Sequence, residues 1–324
     1  MEDRMRGVLW GQAVGDALGL GTEFMTRADI ARCYPRGLTS YGEIIRDQHR
    51  ARWPIGAWTD DTDQMLCILE SLLALGTVSP ADIGRRIAHW AETSGLGIGR
   101  TVQRAMDRDG FSTDPVAAAR QAWEDGRARH AANGGVMRTS VLGLWHLRDV
   151  ERVADNAAAA CRVTHYDPRC VASCITVSLA IRALVIDPSC DRGALVAALS
   201  RAACRFDPRC AEAFELAAQG DVGALGLDEG MRPGDNGRIG YTLKALAAGL
   251  WAVLHAPDFE TGVSEVVMAG GDADSNAAVA GALLGARFGR AGIPTRWLSE
   301  LHDRDRFAAL VDALVERALS LDPG

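Results

Sequence analysis

Apolar positions along this chain recur mostly in steps of three and four, the period of an amphipathic helix, and rarely alternate as a half-exposed strand requires. Met65, Leu66, Leu69, Leu72 and Leu73 form one such set, which predicts a helix starting directly after Thr59-Asp60-Asp61-Thr62. Another helix is predicted from about Tyr241 to His255, and a small-residue helix follows Ser275 and runs to about Arg287. Asp-Pro pairs begin at Asp167, Asp187 and Asp207. Aspartate at an N-cap with proline after it signals a helix start, and apolar helical stretches follow the first and third pairs. The segments 36–58 and 218–240 mix glycine with charge and hold no period, so they are predicted to be long loops, which often carry function.

Glycine falls at 7, 11, 15 and 19 and again at 281, 285 and 289. A spacing of four lines one helix face, and glycine weakens a helix, so each stripe predicts a neighbouring backbone lying close by. Both segments are too short and interrupted to span a bilayer, which leaves tight packing inside a core.

With 324 residues and no sharp break in composition, the chain is predicted to form one domain, 1–324. Aromatics make up only 6%, which favours helices packed through small side chains. A net charge of -7 argues against a nucleic-acid surface. The start, MEDRMRGVLW, lacks the apolar stretch of a signal peptide, and no run of about 18 uninterrupted strongly apolar residues follows. The expected setting is therefore cytoplasmic, with no membrane partner and with the eight cysteines reduced. Cys170 and Cys174 share a helix face, but no Cys-x-x-Cys pair or matched histidines accompany them, so packing is the better reading than zinc.

Two acidic clusters carry the chemistry. Thr59-Asp60-Asp61 precedes one helix, and Gly270-Gly271-Asp272-Ala273-Asp274-Ser275 precedes another. Capping accounts for one aspartate at a helix start, but not for two adjacent ones with a third at Asp63. Carboxylates and hydroxyls on fixed backbone are what hard divalent cations need, and two unrelated caps on opposite sides are the alternative. If the clusters converge, mutual repulsion raises their pKa values unless cations neutralise them. No P-loop, His-Glu-x-x-His or nucleophile elbow occurs, which argues against covalent serine or cysteine catalysis.

These residues sit in ordered motifs: Gly15-Asp16-Ala17-Leu18-Gly19 with Glu23-Phe24, Pro54-x-Gly56-x-x-Thr59-Asp60-Asp61-Thr62, Asn133-Gly134-Gly135-x-Met137-Arg138, Thr164-His165, and Gly270-Gly271-Asp272-x-Asp274-Ser275. In that order, and over nearly the whole chain, the sequence resembles the ADP-ribosylglycohydrolases. The resemblance implies a single compact all-α orthogonal helix assembly with two Mg2+ or Mn2+ ions in a central cleft. It implies Thr59, Asp60, Asp61, Asp272, Asp274 and Ser275 as metal ligands, serine replacing the usual threonine at 275, with Asp16 supporting that set. Glu23, Asp61 and Asp272 are implied as catalytic groups, Glu23 gating the cleft or assisting the attacking water. Asn133, Gly134, Gly135, Met137 and Arg138 match a loop that cradles ADP-ribose phosphates, where glycine would allow backbone amides to aim at an anion. Gly99 and Thr101 align with another phosphate-side loop, and His165 with a residue at the ligand site.

The expected function is metal-dependent release of ADP-ribose from a protein or small molecule by cleavage at the anomeric carbon of the distal ribose. The alternatives are an ADP-ribose-binding protein without turnover and a two-metal phosphoester hydrolase. Where arginine-directed bacterial relatives carry an aspartate, this chain has Gly97. The 36–58 loop supplies Arg46, Arg50, Arg52 and Trp53 and is expected near the cleft mouth, so a neutral or anionic acceptor is expected to outperform arginine. Asp107 or Asp109 is the possible substitute for the missing charge.

Overall fold

The computed structural model describes residues 1–231 and 239–321. Helices build it throughout, and among the described residues the only extended pairing is an isolated bridge between Ala132 and Tyr241. The all-α expectation is met.

Two helices buried on nearly every side form the axis, Glu2–Gly19 and Ala273–Phe288. They run antiparallel in strict register: Gly7 meets Gly285, Gly11 meets Gly281, Gly15 meets Ala277 and Gly19 meets Ala273. A β-carbon at any of these four N-terminal glycines would fall under 3.0 Å from the facing backbone, a separation no real side chain tolerates. The glycine stripe is therefore a packing device. It brings the end of the first helix, with Asp16 and the following Glu23, against the start of the last-but-two α-helix, with Asp272 and Asp274.

The third partner is the predicted helix Asp60–Leu75. Thr59 is its N-cap, and its start is docked from outside by Asp16, which accepts from the Thr59 and Thr62 amides (2.9 and 3.0 Å) and hydroxyls (2.8 and 2.7 Å). One carboxylate thus satisfies orphan donors of another helix and fixes it against the first.

The helix Pro168–Ile186 is capped by Asp167 as expected. Its mean hydropathy of 1.8 over 19 residues is enough to cross a membrane, although Arg169 and Arg182 break the apolar run. Neighbouring helices bury 78% of its apolar window, as befits a core helix. Asp207 caps the short turn Pro208–Cys210 that leads into Ala211–Ala217, whereas Asp187 ends a helix instead of starting one. Thr242–His255 and Ala273–Phe288 match their predicted spans closely. The 36–58 loop holds only the turns Tyr41–Glu43 and Arg50–Arg52. Of 218–240, residues 232–238 lie outside the described residues, and the rest includes the turn Val222–Leu225.

Candidate active site

The two acidic clusters converge, which removes the reading as unrelated caps. Glu23, Asp272 and Asp274 each place an oxygen within 4.8 Å of the others. The Thr59 hydroxyl stands 3.4 Å from Asp274 Oδ2 and 3.5 Å from Asp61 Oδ2. Two helix N-termini aim their amide dipoles at this point, which favours negative charge there. Ser275 donates its amide to Asp274 Oδ1 at 2.8 Å, and its hydroxyl reaches Met137 Sδ at 3.8 Å.

The cluster is strained as a set of free carboxylates. Burial, then repulsion from Asp274, holds Asp60 and Asp61 well above the usual carboxylate range. Burial and Glu23 do the same to Asp274, and burial and Asp272 to Glu23. Asp272 is raised by burial against a 2.5 Å hydrogen bond from Asn133 Nδ2. Asp61 Oδ1 is buried without any hydrogen-bond partner. Closely set oxygen donors, one of them orphaned, fit a divalent cation.

Around them opens a cleft of ≈ 870 Å³. Glu23, Asp60, Asp61, Asp272, Asp274 and Ser275 form one part of its lining, and Gly99, Thr101, Asn133, Gly134, Met137 and His165 another. Asn133 is held by its amide donating to Gly240 carbonyl at 2.9 Å. His165 is buried, and burial together with Arg138 pushes its pKa down to about 3, so the ring is neutral.

Three expectations change. Arg138 does not line the cleft: it is fully buried and donates to Gln64 Oε1 and the Thr164 hydroxyl, both at 2.7 Å. Gly135 also lies behind the wall, where a β-carbon would sit 3.2 Å from Cys161 Sγ and 3.3 Å from Cys174 Sγ. Neither Gly134 nor Gly135 takes a positive φ; what Gly134 supplies is room, since a β-carbon there would come within 2.8 Å of His165 Cε1. Adjacency in a motif says which residues share a turn, not which side of the turn faces the ligand. The cysteine expectation is consistent with Cys170 and Cys174 being buried free thiols.

A second chamber of ≈ 370 Å³ shares Glu23, Phe24, Asp60, Gly97 and Asp274 with the cleft and also includes Thr59 in its lining. Its other walls are His49, Arg52, Trp53, Gly95, Leu96 and Ile98. Arg52 donates to His49 Nδ1 at 2.7 Å and stacks 4.6 Å over Trp53. A ring accepting at Nδ1 carries its proton at Nε2, which therefore donates to Glu23 Oε2 at 2.6 Å. Burial and Arg52 hold the His49 pKa down. Arg46 is exposed and braces its own loop by donating to Trp53 carbonyl at 2.7 Å, and Arg50 is buried and donates to Gly21 carbonyl at 2.9 Å. Gly97 has φ +95 and its missing β-carbon would sit 2.6 Å from Asp60 Oδ1, so no side chain fits there unless Asp60 moves. Asp107 engages Gln103, and neither it nor Asp109 lines cleft or chamber. His49 and Gln64 carry no spacing signal in the sequence, since folding alone joins them to the site, whereas Thr164 is marked by its motif with His165 but not by its role.

The chain is similar to known proteins over nearly its whole length. The ADP-ribosylglycohydrolase family model matches residues 1–323. An ADP-ribosyl-[dinitrogen reductase] glycohydrolase of Rhodospirillum rubrum is 31% identical over 309 residues, covering 93% of this chain and 91% of that protein. ADP-ribosylarginine hydrolase Tri1 of Serratia proteamaculans is 24% identical over 326 residues, covering 96% of this chain and 79% of that one. A solved structure described as an ADP-ribosylglycohydrolase-related protein complex is similar with a TM-score of 0.77 and 31% identity, covering 98% of each chain. Helical fold, motif order and end-to-end likeness agree, and this chain belongs to the ADP-ribosylglycohydrolase family.

Proposed function

We propose that the chain is a cation-dependent hydrolase that frees ADP-ribose from a conjugate by cleavage at the anomeric carbon of the distal ribose. What carries this reading is one cleft of ≈ 870 Å³ that joins carboxylates from three parts of the chain to a wall of glycines, neutral donors and arginines, among them Arg100, Arg104 and Arg129. That size suits a ligand larger than a single sugar.

Thr59, Asp60, Asp61, Asp272, Asp274 and Ser275 would hold two Mg2+ or Mn2+ ions. Bound there, the ions supply positive charge that orients the ribose hydroxyls. Glu23 Oε2 is engaged by His49, which leaves Oε1 to take the proton of the attacking water. Asp61 and Asp272 face the developing oxocarbenium charge with fixed negative charge. Gly99, Thr101, Asn133, Gly134, Met137 and His165 bind the body of ADP-ribose. The deciding experiment is a hydrolysis panel of ADP-ribose conjugates with Mg2+, with Mn2+ and with EDTA. Free ADP-ribose with metal but not with EDTA is expected. Binding without turnover, or free phosphate as the product, would overturn the reading.

The second chamber would receive the acceptor. Apart from Glu23, Asp60 and Asp274, which it shares with the cleft and which the cations would engage or His49 holds, its walls are aromatic and apolar with the cation Arg52, and Gly97 adds no further carboxylate that could pair with a guanidinium. A neutral or anionic acceptor, such as an O-linked serine, is therefore preferred over arginine. Comparing kcat/KM on arginine-linked and serine-linked ADP-ribose under one metal condition tests this. An arginine conjugate favoured by about tenfold, about 1.4 kcal/mol in transition-state binding, would refute it.

A further inference from the structure

Arg138 is a fully buried cation whose described partners are all neutral: Gln64 Oε1, the Thr164 hydroxyl, and Ala160 carbonyl at 3.4 Å. Burying a guanidinium without a carboxylate is costly, so its retention calls for a role that charge and geometry explain. A guanidinium can only donate, and it therefore dictates how each partner turns. Gln64 must present its oxygen to Arg138, so its nitrogen faces the other way and donates to Asp60 Oδ2 at 2.9 Å. Thr164 must accept from Arg138, which leaves its own hydrogen free to point at His165 Nδ1, 2.8 Å away. A ring that accepts at Nδ1 holds its proton at Nε2. That nitrogen is buried without a partner, next to Gly134 in the cleft wall.

We propose that Arg138 is a positioning residue that sets hydrogen-bond polarity on both sides of the cleft, holding Asp60 as an acceptor turned to the cation and His165 as a neutral Nε2–H donor turned to an oxygen of the ligand. The two arms, through Gln64 and through Thr164, diverge from one guanidinium. Only the ligand arm rests on the ADP-ribose reading; the ring tautomer and the cation arm do not. A merely structural arginine would affect melting and leave the tautomer alone.

The test uses the full chain with 15N-labelled histidine. Long-range 1H–15N spectra report the His165 tautomer, Mn2+ titration followed by EPR reports the cation arm, and calorimetry with ADP-ribose reports the ligand arm. Wild type is expected to show Nε2–H. Arg138→Met is expected to lose that preference and to weaken both Mn2+ and ADP-ribose by about tenfold or more. Thr164→Val is expected to release the tautomer and weaken ADP-ribose while Mn2+ affinity stays within about twofold, well short of the loss given by removing a ligand's support. Gln64→Leu is expected to do the converse. If Arg138→Met does not fold, the two single-arm variants decide. A wild type that binds no ADP-ribose but keeps the tautomer and the Mn2+ pattern overturns the proposed function and upholds the positioning role. A wild-type ring protonated at Nδ1, or single-arm variants that leave tautomer and Mn2+ affinity unchanged, overturns it.

Discussion

Asp16 and Asp61 are both buried in the same cluster, yet Asp16 accepts four hydrogen bonds and Asp61 Oδ1 accepts none. Burial lifts Asp16 to about 6 despite its donors, and Asp60, Asp61 and Asp274 are raised well above their ordinary range without comparable relief. A carboxyl with a raised folded-state pKa binds protons better folded than unfolded. Its stabilising protonation is complete below the unfolded value of about 4 and is lost as pH rises through the folded value. His165, pushed down to about 3, and His49 have the opposite sign, gaining stability as pH rises toward their ordinary 6.5, but they are two groups against six, since Glu23 and Asp272 are raised as well. In EDTA, the melting temperature is therefore expected to fall between pH 5 and 8, and saturating Mn2+ should abolish the fall. A melting temperature that climbs over that range in EDTA would contradict the cluster. Asp274→Ala removes one repelling charge and is expected to raise the EDTA melting temperature at pH 8 while losing turnover and at least one cation. Equal cation stoichiometry in that variant would take Asp274 out of the ligand set. The aspartates were legible because two adjacent acids exceed what capping requires. Arg138 was misplaced, since its motif contains the cleft residues Asn133 and Met137 and nothing local shows that the intervening turn points it inward.

For the elements, the glycine stripes decide most. Gly15→Ala would place a β-carbon under 3.0 Å from Ala277 carbonyl, with backbone rather than a yielding side chain in the way. Overpacking of this kind costs about 1–3 kcal/mol or more, and spreading the two helices also moves Asp274 away from Asp16 and Thr59. Gly42→Ala, with nothing within 4 Å of its β-carbon, serves as the control. Denaturant unfolding should show a loss for Gly15→Ala and a change within about 0.5 kcal/mol for Gly42→Ala. Mn2+ affinity should drop only in the former; an undisturbed Gly15→Ala would break the link between the stripe and the site. Both stripes were visible as spacing, and so was the expectation of a close neighbour. That each is the other's neighbour was not, because spacing of four fixes a face and leaves its partner open. The second chamber was less legible still, for its walls come from the irregular 36–58 and 95–98 segments, whose paths no periodicity encodes.

Across the whole molecule, a single cluster of buried apolar residues includes Met5 near one end and Ala318 near the other. We propose on that basis that residues 1–324 unfold as one domain. Calorimetry is expected to give one transition, and far-ultraviolet dichroism and tryptophan fluorescence should trace the same denaturant curve. Two resolved transitions would refute it. The pairing of Glu2–Gly19 with Ala273–Phe288 also has a consequence for biosynthesis. The ribosome makes the first glycine face long before the backbone of Ala273–Phe288 that seats against it. Until then its glycine face waits without that partner, and Asp60 and Asp61 exist without Asp272 and Asp274. Any chain released before Asp272 therefore lacks part of the acidic cluster as well as the backbone that covers the glycine face. Such an early product would be both a poor folder and catalytically silent, so hydrolysis by this protein certifies that synthesis had passed Asp274.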